Sequence, residues 1–324
     1  MLFRSDLRDA VVGGGRGRFS NHMVGGFRLG ALRGRGGMGE VYEATREDGS
    51  TPERRYAVKL LHPHLLSDPS AYERFAREAR SAAALDSPHV VRVVEVSPDD
   101  AAMPFLAMEL LEGNDLATIL RERATLPVAE VVTLLRQLGA GLEAAHGAGI
   151  VHRDLKPQNV FAARTGPSDE DVTWKILDFG VSKLAGGEGS LSIGHAVGTP
   201  SYMSPEQARG DVIDHRSDLY SLAVIAYRAL TGRPAVASAE VMTMLHDVCH
   251  RLPPQPSAVA DLPAAIDDVL LVALAKSPDE RFASARELAD ALAAADRGKV
   301  SLDIQLRAGA ITKTWNWSRT RDRE

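Results

Sequence analysis

The sequence predicts an α+β protein with two lobes, a small strand-rich lobe followed by a larger helical lobe. The length of 324 residues corresponds to about two domains of ~150 residues each. Short apolar runs typical of strands dominate up to about Leu111, and helical periodicity dominates from Ser217 to about Ala295. Hydrophobic residues at 44% and charged residues at 25% are those of an ordinary globular protein.

Composition also excludes several classes of partner. A net charge of −5 gives the chain as a whole no attraction to nucleic acid or anionic lipid. No apolar stretch reaches the ~20 residues that a membrane-spanning helix needs, and charges interrupt the N-terminal segment where a signal peptide would be apolar. The single cysteine, Cys249, cannot form an internal disulfide. We therefore expect a cytoplasmic protein with no nucleic-acid partner and no membrane span.

Composition divides the chain into four segments. Residues 1–26 are rich in glycine and arginine and are expected to be a flexible leader, with Met23 as an alternative start. Residues 27–111 form the small lobe and residues 112–296 the large lobe. Residues 297–324 contain Trp315, Trp317 and several arginines without clear periodicity, so we expect a poorly ordered tail.

The small lobe is predicted to contain five strands and one helix. The strands are Phe27–Leu32 and Met38–Thr45, joined by a glycine-rich loop, and then the segments "RRYAVKLLH", "HVVRVVEV" and "PFLAMELL". The segment "SDPSAYERFAREARSAAALD" has apolar residues at helical spacing and precedes the fourth strand.

The large lobe is predicted to be mainly helical. A long amphipathic helix over "PVAEVVTLLRQLGAGLEAAHGAG" is ended by glycine. Two short strands, "NVFAA" and "WKILDF", flank the polar loop "RTGPSDEDVT". Helices follow to about Ala295, interrupted by "RLPPQPSAVADLP". A small strand-rich lobe beside a larger helical lobe is expected to leave a cleft suited to a ligand.

Gly34, Gly36 and Gly39 form a G-x-G-x-x-G pattern, which is a weak signal alone. A Rossmann turn needs a helix directly afterwards and an acidic residue ~20 positions later, where this chain has Lys59. A Walker loop needs lysine directly after the last glycine, where this chain has Glu40. A glycine flap between two strands, followed by valine and by a lysine on the next strand, fits better. A plain glycine hairpin stays a fourth alternative.

Three later motifs, in this order, decide between the alternatives. They are "VHRDLKPQN" over residues 151–159, "DFG" over residues 178–180 and "GTPSYMSPEQ" over residues 198–207. With "GGMGEVYEA" and "SPEQARG", they make the sequence resemble the bacterial eukaryotic-like (Hanks-type) serine/threonine protein kinases. The resemblance runs from about Phe27 to Ala295. It implies a two-lobed protein-kinase-like fold and transfer of the ATP γ-phosphate to Ser/Thr hydroxyls of protein substrates.

The resemblance implies ATP with Mg²⁺, or alternatively Mn²⁺, as cofactors, and it assigns the reacting groups. Asp154 would accept the proton of the substrate hydroxyl, and Lys156 would stabilise the transferred phosphoryl group. Lys59 would bind the α- and β-phosphates. The catalytic residues it implies are Asp154, Lys156, Asn159, Lys59 and Glu78, with Glu73 as a competing partner for Lys59. The metal ligands it implies are Asn159 and Asp178.

The resemblance also implies a nucleotide site. Glycines would let backbone N–H groups approach the phosphates, Met108 would be the gatekeeper, and Glu109 and Leu111 would offer backbone groups to adenine. Phe161, under the ring, departs from the family's usual Leu or Met. The implied nucleotide-binding residues are Leu32, Arg33, Gly34, Arg35, Gly36, Gly37, Met38, Gly39, Val41, Ala57, Lys59, Met108, Glu109, Leu111 and Phe161.

Other residues match supporting positions of the family. Asp218 resembles the helix aspartate that binds the backbone amides of the catalytic loop. Glu206 and Arg281 resemble a buried ion pair that anchors the activation segment. His152 and Phe179 resemble members of an apolar stack between the lobes, so His152 is expected to be structural.

Regulation is expected to depend on Arg153, which in the family pairs with a phosphorylated activation segment. Ser190 and Ser192 are the expected sites of autophosphorylation, through possible self-association of two copies, and Thr199 is expected to bridge Asp154 and Lys156. A pseudokinase scaffold would lack Lys59, Asp154 or Asp178, and a small-molecule kinase would lack Lys156 and the "SPE" segment. The sequence therefore favours an active protein kinase over both alternatives.

Overall fold

The structure is a computed structural model that describes residues 17–36, 39–47, 54–62, 65, 69–98, 101, 103–166, 168, 171–178, 200–315 and 317. The chain divides into two compact units, one ending at Glu112 and the other starting at Gly113. Within the described residues, no helix has both the length and the apolar character needed to cross a membrane.

The first unit is an antiparallel sheet with one helix. Its strands are β1 (Met23–Val24), β2 (Phe27–Arg35), β3 (Gly39–Arg46), β4 (Arg55–Leu61), β5 (Val93–Val96) and β6 (Phe105–Glu109). They lie in the order β1-β2-β3-β4-β6-β5. Helix α1 (Pro69–Ala83) packs against β5. The five strands and the helix predicted for this part of the chain are confirmed.

Alternation along these strands separates the two faces of the sheet. Tyr42 and Ala44 of β3 and Val58 and Leu60 of β4 point into one apolar core, together with Phe27 of β2. Phe27 makes edge-on ring contacts with Tyr56 at 5.4 Å and with Phe105 at 5.9 Å between centroids. Residues 41, 57 and 59 have the opposite parity and therefore lie on the other face.

Part of the expected flexible leader, residues 17–26, belongs to the described structure. Residues 17–21 form a turn, β1 pairs with β2, and Phe19 packs against the apolar core. The leader prediction is therefore wrong for residues 17–26. One aromatic residue and a two-residue strand are too short to show periodicity, so no pattern in the sequence indicated this structure.

The second unit is mainly helical. Its helices are α2 (Leu116–Arg123), α3 (Val128–Gly147), α4 (Pro205–Arg209), α5 (His215–Thr231), α6 (Val241–His250), α7 (Pro256–Val259), α8 (Ala265–Ala273), α9 (Ala285–Ala295) and α10 (Leu302–Thr314). Strands β7 (Gly113–Asp115), β8 (Val160–Arg164) and β9 (Val172–Ile176) form a small antiparallel sheet. The long helix and the two strands predicted from the sequence are confirmed.

Helix α5 is the centre of this unit. Every residue from Ser217 to Tyr227 is buried, which is the pattern of a helix surrounded on all sides. Helices α3, α8 and α7 contact it. The α3–α9 contact is so close at Gly139 that an added Cβ would lie 2.6 Å from the Cβ of Ala285.

The expected poorly ordered tail is wrong for residues 302–314, which form α10. Ser301 caps this helix by accepting a hydrogen bond from the amide of Ile304 at 3.3 Å. Ile304, Ala308 and Ile311 are buried, and α10 packs against α8. Arg307 donates to the carbonyl oxygens of residues 280 and 281 at 3.0 and 2.8 Å. Tertiary contacts stabilise a helix whose own apolar spacing is weak.

A buried ion pair joins α4 to the segment between α8 and α9. Arg281 donates from Nη1 and Nη2 to the two carboxylate oxygens of Glu206, each at 2.7 Å, and the side chains are 1% and 3% exposed. The Ser217 hydroxyl donates to Glu206 at 2.6 Å. Burial alone would raise the pKa of Glu206, but hydrogen bonds and charge from Arg281 outweigh it and lower the pKa. The pair inferred from the sequence is confirmed.

We predict that Arg281→Met lowers the free energy of unfolding by about 3–5 kcal/mol, because Glu206 stays buried without its cation. Denaturant unfolding at pH 7 measures this. The matched control is Asp211→Asn, which removes an exposed ion pair with Arg209 (39% and 54% exposed) and is expected to cost less than ~1 kcal/mol.

The same pair predicts a pH dependence. Because folding lowers the pKa of Glu206, its contribution is present above the unfolded pKa of about 4.3 and is lost as the pH falls through the folded pKa. The difference in unfolding free energy between the parent and Arg281→Met should therefore shrink from pH 7 towards pH 3. A difference that stays constant over this range would contradict the assignment.

Candidate active site

The glycine-rich loop connects two antiparallel strands. Gly34 pairs with Val41 and Arg35 pairs with Glu40, and the amide of Gly36 donates to the carbonyl of Gly39 at 2.8 Å. Strand β3 begins at Gly39 itself. A strand in this place excludes the Rossmann and Walker alternatives, since both need a helix there.

The neighbouring strand explains one glycine of this loop but not the others. A Cβ on Gly39 would lie 2.0 Å from the carbonyl oxygen of Leu60, so the neighbouring strand requires glycine there. Among the described residues, a Cβ on Gly34 would meet no atom within 4 Å, and one on Gly36 only the Gly39 oxygen at 3.9 Å. The sheet therefore does not require glycine at positions 34 and 36, which leaves close approach of a ligand as a reason for them. Gly37 and Met38 lie outside the described residues.

Strand register brings several predicted nucleotide residues to one face of the sheet. Val41 lies opposite Lys59, and Ala57 lies opposite Met108. Lys59 and Ala57 are two residues apart on β4 and therefore point to the same side. Ala57, Lys59 and Met108 are 7%, 9% and 8% exposed. We refer to this side, opposite the apolar core, as the candidate nucleotide face.

Two predicted nucleotide residues do not present their side chains on that face. Leu32 lies opposite Tyr42 and belongs to the apolar core, so its prediction as a nucleotide ligand is corrected. A register shift between Leu32 and Gly34 leaves Arg33 as an extra residue, and such bulges turn the following side chains over. Arg35 lies opposite Glu40 and pairs with it, on the core side of the sheet.

The remaining predicted residues of the first unit are Glu78, its competitor Glu73, Glu109 and Leu111. Glu78 is in α1, but its side chain lies outside the described residues. Glu73, the competing carboxylate, is exposed. Glu109 donates its amide to the carbonyl of Arg92 at 3.0 Å and accepts the Arg92 amide at 2.8 Å with its carboxylate. Leu111 is half-buried.

The second unit holds the segment from His152 to Asn159, here called the catalytic loop. It follows α3 and ends in a 3-10 turn, Pro157–Asn159, that leads into β8. Lys156 Nζ donates to Asp154 Oδ2 at 2.7 Å, and both side chains are 19% exposed. The Asn159 side-chain amide donates to the carbonyl of Asp154 at 2.9 Å. The structure thus brings together Asp154, Lys156 and Asn159, three residues that the sequence assigned to catalysis.

Asp218, at the start of α5, fixes the loop. Its carboxylate is fully buried and accepts hydrogen bonds from the amides of His152 at 2.8 Å and Arg153 at 2.9 Å. His146 Nε2 also donates to it at 2.8 Å, since an ionised carboxylate can only accept. The contact between Asp218 and the loop amides agrees with the sequence. The sequence analysis did not identify His146, because nothing in the spacing between His146 and His152 indicates that both bind Asp218.

His152 connects the loop to the end of β9. Its ring is fully buried, Nε2 donates to the carbonyl of Leu177 at 3.1 Å, and Nδ1 accepts the amide of Asp154 at 3.2 Å. The amide of Leu177 donates to the carbonyl of Asn159 at 2.8 Å. Asp178, which follows, is exposed. The structural role expected for His152 is therefore consistent with its contacts. Phe179 lies outside the described residues.

Backbone conformation marks the same region. Arg153 has φ 65° and Asp178 has φ 42°. Residues other than glycine rarely adopt a positive φ, and those that do are concentrated at functional sites. The carbonyl of Arg153 accepts a hydrogen bond from Gln207 Nε2 at 2.8 Å. Burial lowers the pKa of the Arg153 guanidinium, and the charge of Asp218 opposes this. The activation-segment residues Ser190, Ser192 and Thr199 lie outside the described residues.

Gln207 is a second residue that the sequence analysis missed. With Ser204 it forms a capping box at the start of α4, where each side chain binds the other residue's amide, at 3.3 and 3.0 Å. The spacing S-x-x-Q of "SPEQ" is the signal that identifies this motif. Phe161 of β8 lies opposite Asp115 of β7 and is half-buried.

Residues 27–292 match the family described as the protein kinase domain. The serine/threonine-protein kinase PknH of Mycobacterium tuberculosis is 38% identical over 286 residues, which are 88% of this chain and 43% of the relative. Serine/threonine-protein kinase Pkn1 of Myxococcus xanthus is 41% identical over 274 residues, 83% of this chain and 38% of the relative. The chain thus spans less than half the length of these curated relatives.

A crystal structure of the Mycobacterium tuberculosis PknI kinase domain has 30% sequence identity and a TM-score of 0.65, with 85% of this chain and 98% of that chain covered. This likeness confirms the predicted kinase-like fold, a strand-rich first part followed by a helical one. Because the family match covers most of its length, the chain belongs to the protein kinase domain family, as the order of its motifs predicted.

Proposed function

We propose that this chain is an active serine/threonine protein kinase, which transfers the γ-phosphoryl group of ATP to Ser and Thr hydroxyls of proteins. The observation that carries the proposal is the 2.7 Å contact between Lys156 and Asp154 on a loop fixed by Asp218. Phosphoryl transfer depends mainly on positioning and charge neutralisation, and a carboxylate paired with an ammonium group on a rigid loop supplies both. Membership of the kinase family supports use of ATP and a divalent cation.

In this mechanism the substrate hydroxyl oxygen attacks the γ-phosphorus, and the bond from that phosphorus to the β–γ bridging oxygen breaks to release ADP. Asp154 orients the hydroxyl and accepts its proton. Lys156 carries a positive charge two residues away, where it would stabilise charge on the transferred group. Lys59 would bind the α- and β-phosphates from the candidate nucleotide face.

Asn159 and Asp178 have the chemistry of magnesium ligands. The Asn159 amide nitrogen donates to the carbonyl of Asp154, and the amide oxygen accepts no hydrogen bond from the described part of the chain, so it is the atom that could bind a cation. Asp178 is exposed at the end of β9, beside the Leu177–Asn159 backbone contact. Carboxylate and amide oxygens are hard ligands that suit Mg²⁺, which also keeps waters and phosphate oxygens in its shell; Mn²⁺ is the proposed alternative. The bound ion would neutralise phosphate charge.

The two alternative functions, a pseudokinase scaffold and a small-molecule kinase, are less well supported. A pseudokinase scaffold is disfavoured by the presence of Lys59, Asp154 and Asp178, and a small-molecule kinase by Lys156 and the "SPE" segment. Use of ATP favours a cytoplasmic site of action, and we propose protein substrates as partners. Two copies would also meet transiently when one phosphorylates the other.

We predict that Asp154→Asn lowers kcat by about 10²–10⁴-fold, the usual cost of a lost general base, with little change in the Kd for ATP. Phosphorylation of a generic basic protein with labelled ATP measures kcat. The matched control is Asp261→Asn, an exposed aspartate of the same unit, which should keep parental activity. Full activity of Asp154→Asn would exclude Asp154 as the base.

We predict that Lys59→Met abolishes autophosphorylation while the chain stays folded, since methionine approximates the aliphatic part of the lysine side chain. Lys59 is buried on β4, so thermal unfolding should be recorded beside the labelling assay. Arg54→Met, an exposed cation of the same unit, is the control. Unchanged γ-phosphate transfer by Lys59→Met would show that another residue binds the phosphates.

We predict autophosphorylation at Ser190, Ser192 or both, with a several-fold rise in activity. A phosphate adds ~2 negative charges and new acceptor oxygens, and Arg153 is a half-buried cation without a hydrogen-bonded side-chain partner among the described residues. Mass spectrometry and kinetics on the Ser190→Ala/Ser192→Ala double variant test this. The initial rate per molecule should rise with protein concentration if the reaction occurs between two copies. A double variant as active as the phosphorylated parent would refute the switch.

A further inference from the structure

The glycine-rich loop is supported from the side of the sheet opposite the candidate nucleotide face. Glu40, directly after the last glycine, is 7% exposed. Its carboxylate accepts a hydrogen bond from Tyr42 Oη at 2.6 Å and pairs with Arg35 Nε at 2.8 Å. Arg35 and Glu40 lie opposite each other as the last cross-strand pair before the turn, so this ion pair closes the base of the loop.

A buried carboxylate in this place is costly unless it is paired. It also lies next to a loop that would bind a polyanion, whose charge it would repel. Arg35 offsets the negative charge, and Tyr42 supplies a donor from within the sheet. Burial first, and then the hydrogen bond to Glu40, raise the pKa of Tyr42 to about 12, so the hydroxyl stays a donor at neutral pH.

The Tyr42 hydroxyl is held in turn by the residues before β1. It accepts the amide of Phe19 at 3.1 Å, and the two rings make an edge-on contact with centroids 6.3 Å apart. A Cβ on Gly17 would lie 2.4 Å from Tyr42 Oη. The N-terminal turn therefore covers Tyr42 and fixes the position from which it reaches Glu40.

Further contacts hold the turn of the loop itself. The amide of Gly36 donates to the carbonyl of Gly39, and His62 Nε2 lies 2.8 Å from the carbonyl oxygen of Gly36. Within the described structure, a Cβ on Gly34 would have open space, and one on Gly36 would make only an ordinary contact with the Gly39 oxygen at 3.9 Å. The loop is thus fixed at its base, and Gly34 and Gly36 are not required to be glycine by the described neighbours.

We propose that Glu40 and Tyr42 are positioning residues, which hold the glycine-rich loop in the conformation that binds the nucleotide phosphates. They act through Arg35 and the backbone and do not touch the nucleotide. This inference rests on the proposed use of ATP. It predicts that loss of either residue weakens binding of the triphosphate and leaves binding of the nucleoside unchanged, because adenosine has no phosphate for the loop to bind.

The test compares Kd values for ATP and adenosine in the parent, Glu40→Gln and Tyr42→Phe, by calorimetry on the full chain, together with kcat and KM for ATP. A hydrogen bond to a charged group contributes enough for Glu40→Gln to raise Kd and KM for ATP by about tenfold, and Tyr42→Phe by about threefold. The kcat value and the Kd for adenosine should change less than about twofold. In the double variant, the Kd for ATP should rise by less than the product of the two single-variant fold changes, because both residues belong to one network.

The matched control is Glu47→Gln, which removes another arginine–glutamate pair, with Arg28, at the far end of the same hairpin. It should leave both affinities at parental values. Unfolding temperatures of all variants are recorded, and Tyr42→Phe supplies a second route if Glu40→Gln is unstable.

Three results would overturn the inference. Unchanged ATP affinity in both variants would show that the loop needs no support from Glu40 or Tyr42. Equal weakening of ATP and adenosine would indicate general loss of structure. Tighter ATP binding by Glu40→Gln would show that Glu40 keeps Arg35 from the phosphates. A parent chain that binds no ATP would overturn the proposed function as well, so the two failures are distinguishable.

Discussion

The buried carboxylate of Asp218 determines the geometry of the candidate active site in the second unit. It lies in the most enclosed helix of that unit and accepts hydrogen bonds from two consecutive amides of the catalytic loop. A buried acceptor with fixed donors holds a loop more rigidly than exposed contacts could, because each lost bond would leave a polar group unsatisfied. Asp154, Lys156 and Asn159 therefore take their positions from a residue about sixty positions later in the chain.

A second set of contacts holds the same loop from the side of α4. Gln207 binds the carbonyl of Arg153, and the next residue back, Glu206, forms the buried ion pair with Arg281. Arg153 thus has its amide bound by Asp218 and its carbonyl bound by Gln207. These two contacts account for the persistence of its left-handed backbone conformation, which would cost about 1–3 kcal/mol without support. Arg281 also binds the carbonyl of Ala275, so the anchor extends to the residues after α8.

Alternation along the strands of the first unit puts the apolar core on one face of the sheet and the candidate nucleotide residues on the other. Tyr42, Val58 and Leu60 serve the apolar core, while Val41, Ala57 and Lys59 lie on the other face. A polar network at Glu40 occupies the core side directly behind the glycine-rich loop. Satisfied buried networks of this kind favour one conformation over others, because a shift of the loop would leave a buried charge without partners.

The sequence alone determined the residue types that the chemistry requires and the order in which they occur. Lys59, Asp154, Asn159 and Asp178 could be proposed as site residues because few side chains can bind phosphate, accept a proton or coordinate a divalent cation. Strand alternation and helical periodicity likewise identified most of the elements, since both patterns are local. The family followed from these motifs.

Tertiary structure decided the rest. The register shift between Leu29 and Leu32 placed Leu32 in the core, and no local pattern indicates such a one-residue shift. Helix α10 forms where the sequence indicated a disordered tail, because burial against α8 stabilises it. His146, Gln207 and Glu40 gained their partners through folding. His146 and Gln207 bind Asp218 and Arg153, which are distant in the chain, and Glu40 is buried beside Tyr42 and Arg35 only once the hairpin has formed, so local spacing does not specify these contacts.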